Sequence, residues 1–137
     1  MKTYSVTDIG RKRKMNQDYV YCCTQTVGML PNLFIVADGM GGHNAGDFAS
    51  RFAVEEFVRQ IRQGKGKTLI QTMEESVQNA NRLLLEQAAG RPELKGMGTT
   101  FVAATICGET MYVANIGDSR LYLISGEEIS QVTQDHS

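Results

Sequence analysis

The sequence predicts an α+β domain in which helices pack on a largely antiparallel sheet. Three observations carry this. Leu33-Phe34-Ile35-Val36-Ala37 is a continuous apolar run of strand length. Two longer stretches then repeat apolar residues at helical spacing. The last third is a series of short runs rich in Val, Thr, Tyr and Ile, separated by glycine-containing dipeptides. Strands, then two helices, then a meander is the order of a layered α+β domain.

The elements follow in order. Tyr4 to Thr7 and Tyr19 to Thr24 read as strands, with the polar, basic loop Gly10 to Gln17 between them. Leu33 to Ala37 suits a strand buried on both faces, ending at Asp38 and a glycine cluster. A helix is expected from about Ala45 to Ile61, where Phe48, Ala49, Phe52, Ala53, Phe57 and Ile61 share a face until Gly64 and Gly66 break the pattern. A second runs from about Thr68 to Ala88, with Ile70, Met73, Val77, Ala80 and Leu84 on one side and Gly90 and Pro92 at its end. Both stripes face a core. Thr99 to Cys107, Thr110 to Asn115, Arg120 to Ser125 and Glu128 to Val132 complete the chain as strands. Gly108-Glu109, Gly117-Asp118 and Gly126-Glu127 form the tight turns between them.

The 137 residues suffice for one domain with a real core, and no repeat, low-complexity tract or linker divides them, so 1–137 reads as a single domain. A net charge of −1 gives no global field for nucleic acid or an acidic membrane, and neither is expected as a partner. The basic run Arg11-Lys12-Arg13-Lys14 reads by itself as a solvated loop. Lys2, Asp8 and Arg11 interrupt any N-terminal apolar segment, and no stretch is long enough to span a bilayer. Three cysteines, Cys22, Cys23 and Cys107, with two adjacent, argue against a disulfide framework. A reducing cytoplasm is the expected compartment.

The chemistry centres on Asp38-Gly39-Met40-Gly41-Gly42. A carboxylate at the mouth of a strand, followed by residues without Cβ, lets carboxylate and backbone oxygens approach a hard cation such as Mg²⁺ or Mn²⁺. The same run is equally compatible with an Asp-Gly turn. Asp18, five residues after Arg13, is a second carboxylate that could fix a metal-bound water, and an arginine fork can hold phosphate. Singly, these residues fit a basic surface loop just as well. Asp118 fits a hairpin turn, and Asp135-His136 either a general acid–base pair or a frayed end. No Gly-x-x-x-x-Gly-Lys-[Ser/Thr] occurs, which argues against a nucleotide-binding loop.

The joint pattern narrows these alternatives. Gly-x-x-Arg-x-x-Asn-x-Asp at 10–18 is followed by Val-Ala-Asp-Gly-Met-Gly-Gly at 36–42 and Gly-x-Gly-Thr-Thr at 96–100. Asn-Ile-Gly-Asp-Ser-Arg at 115–120 and Thr-x-Asp-His-Ser at 133–137 complete the series. This order resembles the metal-dependent Ser/Thr protein phosphatases of the protein phosphatase 2C type, the PPM family, in their bacterial form. The resemblance implies a layered β-sandwich flanked by helices (αββα), with a two-metal centre of Mn²⁺ or Mg²⁺ at one edge. It implies that Arg13 holds the substrate phosphate, and that Asp38 bridges the metals while the Gly39 carbonyl ligates one. Asp18 would support the second metal, and Asp118 a weaker third site. The implied reaction is attack of a metal-activated water on phosphoserine or phosphothreonine, in proteins that are substrates of a Ser/Thr kinase.

The sequence departs from that family in three ways. Gln17 stands where many relatives carry glutamate, which shifts the second metal toward ligation through water. Met40 stands where animal relatives have a histidine proposed as general acid, and His43 does not inherit that role. The two further aspartates that relatives carry in later Asp-Gly and Asp-Asn motifs are not among these 137 residues. The expectation is therefore an N-terminal portion of a phosphatase domain, truncated at the C-terminus. It would be weakly active or inactive alone and prone to self-association through unpaired sheet edges. The alternative is a non-catalytic, phosphatase-like binding or regulatory module.

Overall fold

The structure is a computed structural model that describes residues 9–12, 18–41, 44–64, 66–94, 96–116, 121–125 and 128–131. Seven strands form one antiparallel sheet in sequence order, β1 (Ile9–Lys12), β2 (Asp18–Cys23), β3 (Leu33–Met40), β4 (Gly98–Cys107), β5 (Thr110–Ile116), β6 (Leu121–Ser125) and β7 (Glu128–Gln131). Helices α1 (Ala45–Gln63) and α2 (Leu69–Ala89) are inserted between β3 and β4. The α+β class and the meander are as the sequence predicts. Of the layers that an αββα sandwich implies, the described residues form one sheet and one helical layer. The expected strand Tyr4 to Thr7 lies outside the described residues.

Two expectations change. Residues 10–12 were expected in a loop; instead they pair with β2, Gly10 with Cys22, Arg11 with Tyr21 and Lys12 with Val20. Ladder hydrogen bonds to a neighbouring strand override a polar, glycine-containing sequence, which is why strand propensity is contextual. β3 was expected to be buried on both faces, but its residues alternate between buried and more exposed. Leu33, Ile35 and Ala37 face the helices, whereas Val36 is 54% exposed and its direct partner on β4, Val102, 44%. The helices cover only one face of the sheet, so the period-2 geometry of a strand decides burial.

The core lies between that inner face and the two helices. Tyr21 on β2, Ile35 on β3 and Phe101 on β4 pack with Val54, Phe57 and Ile61 of α1 and Met73 and Val77 of α2. The Phe57 and Phe101 rings meet at 5.1 Å between centroids, tilted by 59°. Helix α2 starts with a capping box: the Thr68 hydroxyl accepts from the Gln71 N–H, and the Thr68 N–H donates to the Gln71 side chain. Buried Asn32 is satisfied by β4, donating to the Ile106 carbonyl (2.9 Å) and accepting from its N–H (2.7 Å). At the far end of the β4–β5 ladder, Gly108 takes a positive φ of 63°, which the two-residue turn requires.

Phe57→Ala is expected to lower stability by about 3–5 kcal/mol in urea unfolding, because it empties the helix–sheet contact. Arg59→Ala, which removes an exposed ion pair with Glu56, should cost under about 1 kcal/mol. The Arg59 hydrogen bond holds the Glu56 carboxyl below its ordinary range. The pair's small contribution is thus present above the unfolded-state carboxylate pKa and lost as pH falls through the folded value. The Arg59→Ala difference should accordingly vanish in acid.

Candidate metal centre

β3 does not stop at Ala37. It continues through Asp38, Gly39 and Met40, which pair with Thr100, Thr99 and Gly98 of β4. Asp38, Gly39 and Met40 therefore occupy the end of a central strand rather than the loop beyond it, so the sheet fixes their position. On the other side, the β2–β3 register sets Asp18 directly opposite Asp38. Asp18, Asp38 and Thr100 thus form one row across three strands at one end of the sheet.

Directly opposed residues in a ladder lie about 4.5–5.5 Å apart, and like charges placed so are destabilising. Two aspartates occupy directly opposed register positions at this sheet end, where a bound cation would offset their like charge. The donors available are oxygens only, which suits a hard divalent ion. Asp38 is exposed, and nothing among the described residues covers it from solvent. The residues present therefore fit a divalent cation. Among the described residues alone, no group of three or more His, Cys, Asp or Glu side chains is assembled for a metal.

Two neighbours hold Asp38 in place. The Thr100 hydroxyl accepts from the Asp38 N–H (3.1 Å) and donates to the Asp38 carbonyl (3.4 Å). Both polar groups of that peptide are engaged by one side chain, which anchors the backbone under the carboxylate. Gly39 is buried, and a Cβ there would overlap the Gly46 carbonyl in the first turn of α1. Gly41 takes a φ of 142°, where a side chain would be strained and would stand 3.0 Å from Ala45 Cβ. Glycine is thus required by the closeness of helix to strand.

Of the residues singled out from sequence, the fold brings together Asp18, Asp38 and Gly39. Arg13 and Asp118 lie outside the described residues, as do Gln17, His43, Asp135 and His136. Sequence reasoning assigned no role to Thr100 or Gly46. The Gly-x-Gly-Thr-Thr run was a signal for Thr100, but only the β3–β4 register shows what its hydroxyl touches.

The family model for protein phosphatase 2C matches residues 10–137. The chain belongs to the protein phosphatase 2C family. It is 39% identical to the serine/threonine phosphatase stp of Listeria welshimeri over 96% of this chain and 53% of that protein. It is 38% identical to the protein phosphatase PhpP of Streptococcus pneumoniae over 100% of this chain and 56% of the relative. The chain therefore spans about half the length of the curated relatives it matches. Among solved structures, it resembles the phosphatase Stp1 of Staphylococcus aureus with a TM-score of 0.63 and 31% identity, covering 94% of this chain and 53% of the other. A structure of the catalytic domain of the phosphatase PstP, with two manganese ions, is similar at a TM-score of 0.58 and 33% identity, over 93% of this chain and 53% of that one. These phosphatase 2C likenesses bear out the α+β fold and the family expected from the sequence motifs.

Gly39→Ala is expected to destabilise the chain by about 3 kcal/mol or more, or to prevent folding, because backbone on both sides leaves no room to relax. Thr100→Val, which keeps the shape and removes both hydrogen bonds to Asp38, should cost about 1–2 kcal/mol with an unchanged far-UV spectrum. Urea titrations followed by circular dichroism check both.

Proposed function

We propose that the chain forms the metal- and phosphate-binding part of a PP2C-type phosphatase that hydrolyses phosphoserine and phosphothreonine in proteins. The observation that carries this reading is the direct β2–β3 register of Asp18 and Asp38 beside the glycine-lined start of α1. When bound, a pair of Mn²⁺ or Mg²⁺ ions would acidify water and neutralise phosphate charge. The chain's residues would supply the rest. Asp38 would hold the cations through its carboxylate, and Gly39 would add its carbonyl oxygen. Asp18 would help to hold the cations, and the neutral Gln17 amide would be a poorer ligand than water there. Asp118 serves a weaker third site. Arg13 holds two phosphate oxygens through its fork and orients phosphorus for in-line attack. The two manganese ions in the PstP structure support the two-metal reading. The substrates are phosphoproteins made by a Ser/Thr kinase, and the setting is the cytoplasm. No described helix is long and apolar enough to cross a membrane.

Within these 137 residues the site has Asp18, Asp38 and Asp118 as acidic ligands, so affinity and turnover should both be low. In calorimetric titration the 137-residue chain is expected to bind Mn²⁺ weakly, and Asp38→Asn should weaken that binding by at least about tenfold. Release of phosphate from p-nitrophenyl phosphate should be slow or absent. Robust manganese-dependent turnover would overturn the claim of low activity. Mn²⁺ binding that is absent, or indifferent to Asp38→Asn, would instead favour the non-catalytic module.

The exposed sheet face around Val36 and Val102, together with the β1 and β7 edges of the described sheet, supports self-association. Light scattering should show mass rising with concentration; a clean monomer at high concentration would count against it.

A further inference from the structure

Beside the Asp38–Gly41 segment lies a cleft of about 630 Å³, on the helical side of the sheet. One wall is the start of α1, with Asn44, Asp47, Phe48 and Arg51; the other is the connection from α2 to β4, with Arg91 and Glu93. Gly41 joins the cleft to the metal loop: a Cβ there would touch Ala45 on one wall and stand 3.2 Å from the Met97 Cα, just beyond the other.

Two guanidiniums from separate elements converge on one ring. The Arg51 and Arg91 guanidinium carbons lie 5.8 Å and 5.6 Å from the Phe48 centroid. Stacking on an aromatic ring fixes a guanidinium in place while leaving its N–H edge free to bind an oxyanion. Arg51 also pairs with Glu55 at 3.6 Å. Arg91 meets no carboxylate within ion-pair distance among the described residues, unlike Arg59 and Arg82 on the helices. Asp47 is already engaged within the fold, so Glu93 is the acidic group that competes for Arg91. With Arg51 and Arg91 set against Asp47, Glu93 and the Arg51 partner Glu55, the cleft has no long-range pull on an anion, and its selectivity is for a group seated between the arginines.

We propose that this cleft is a subsite for an oxyanion, a carboxylate or a second phosphate, on the peptide segment flanking the phosphorylated residue of a substrate. The seven steps from the N-cap Asn44 to Arg51 rise about 10 Å, which an extended peptide spans in three or four residues. An acidic side chain at about that separation from the phosphoresidue would reach Arg91 while the phosphate lies at Asp38. The assignment rests on the phosphatase reading for the identity of the substrate, and its test reads binding alone.

The test is fluorescence anisotropy of the 137-residue chain with labelled phosphothreonine peptides in low salt and Mn²⁺. One peptide has glutamates flanking the phosphoresidue, a second has glutamines, and a third has phosphoserines in place of the glutamates. The expected result is about tenfold tighter binding of the glutamate or phosphoserine peptide than of the glutamine peptide. Whichever acidic peptide binds tighter names the source of the oxyanion. Arg91→Gln should erase the preference without changing affinity for the glutamine peptide, Arg51→Gln should reduce it, and Glu93→Gln should enlarge it. Equal affinity for all three peptides, or a preference that survives Arg91→Gln in a chain with a native circular dichroism spectrum, would overturn the proposal. A preference that persists in a chain whose Mn²⁺ binding is absent or indifferent to Asp38→Asn would leave the subsite standing and count against the catalytic reading alone.

Discussion

Helix α1 begins so close to the end of β3 that no side chain fits between Gly39 and the Gly46 carbonyl. Much of the architecture of the site depends on that contact. The glycines allow the first turn of α1 to lie on the strand, and the buried Ala45, Ala49 and Ala53 keep the helix low along the sheet. Phe57 then reaches Phe101 further along, so the same approach that shapes the Asp38–Gly41 segment also builds the core. Glycine lacks the conformational restriction of other residues, and its use here is a cost accepted for proximity. The tight packing of interiors makes such a contact unforgiving.

The second constraint is electrostatic. Antiparallel register places Asp18 against Asp38, an arrangement that weakens a sheet in the absence of a cation. The sheet tolerates it at its end, where Asp38 is exposed and solvent screens the repulsion. The Thr100 hydroxyl, spanning the N–H and C=O of Asp38, steadies the backbone where the ladder would otherwise be most easily frayed. A site built this way is held by strands on both sides, which fixes the backbone of Asp38. Rigid scaffolds that present functional groups from their ends use the same division between support and chemistry.

The helical layer does more than bury the inner face of the sheet. Its start, next to the metal loop, combines with the α2–β4 connection to bring Arg51 and Arg91 onto one aromatic ring. These residues are 40 positions apart in sequence and belong to no recognisable motif. The outer sheet face is different in kind: Val36 and Val102 point to solvent.

The sequence by itself determined the α+β class, both helices to within two residues at either end, and the family through five ordered motifs. Those signals are local: helical periodicity, β-rich runs, turn glycines, and short residue strings in a fixed order. Register, close approach and burial were settled only by the tertiary structure. It showed residues 9–12 as a strand, made β3 one-sided and extended it through Met40. It also set Asp18 against Asp38, gave Thr100 its two hydrogen bonds and formed the arginine cleft. Each of these depends on which segments lie side by side, and a polar stretch or a single threonine carries no record of its neighbour until the chain has folded.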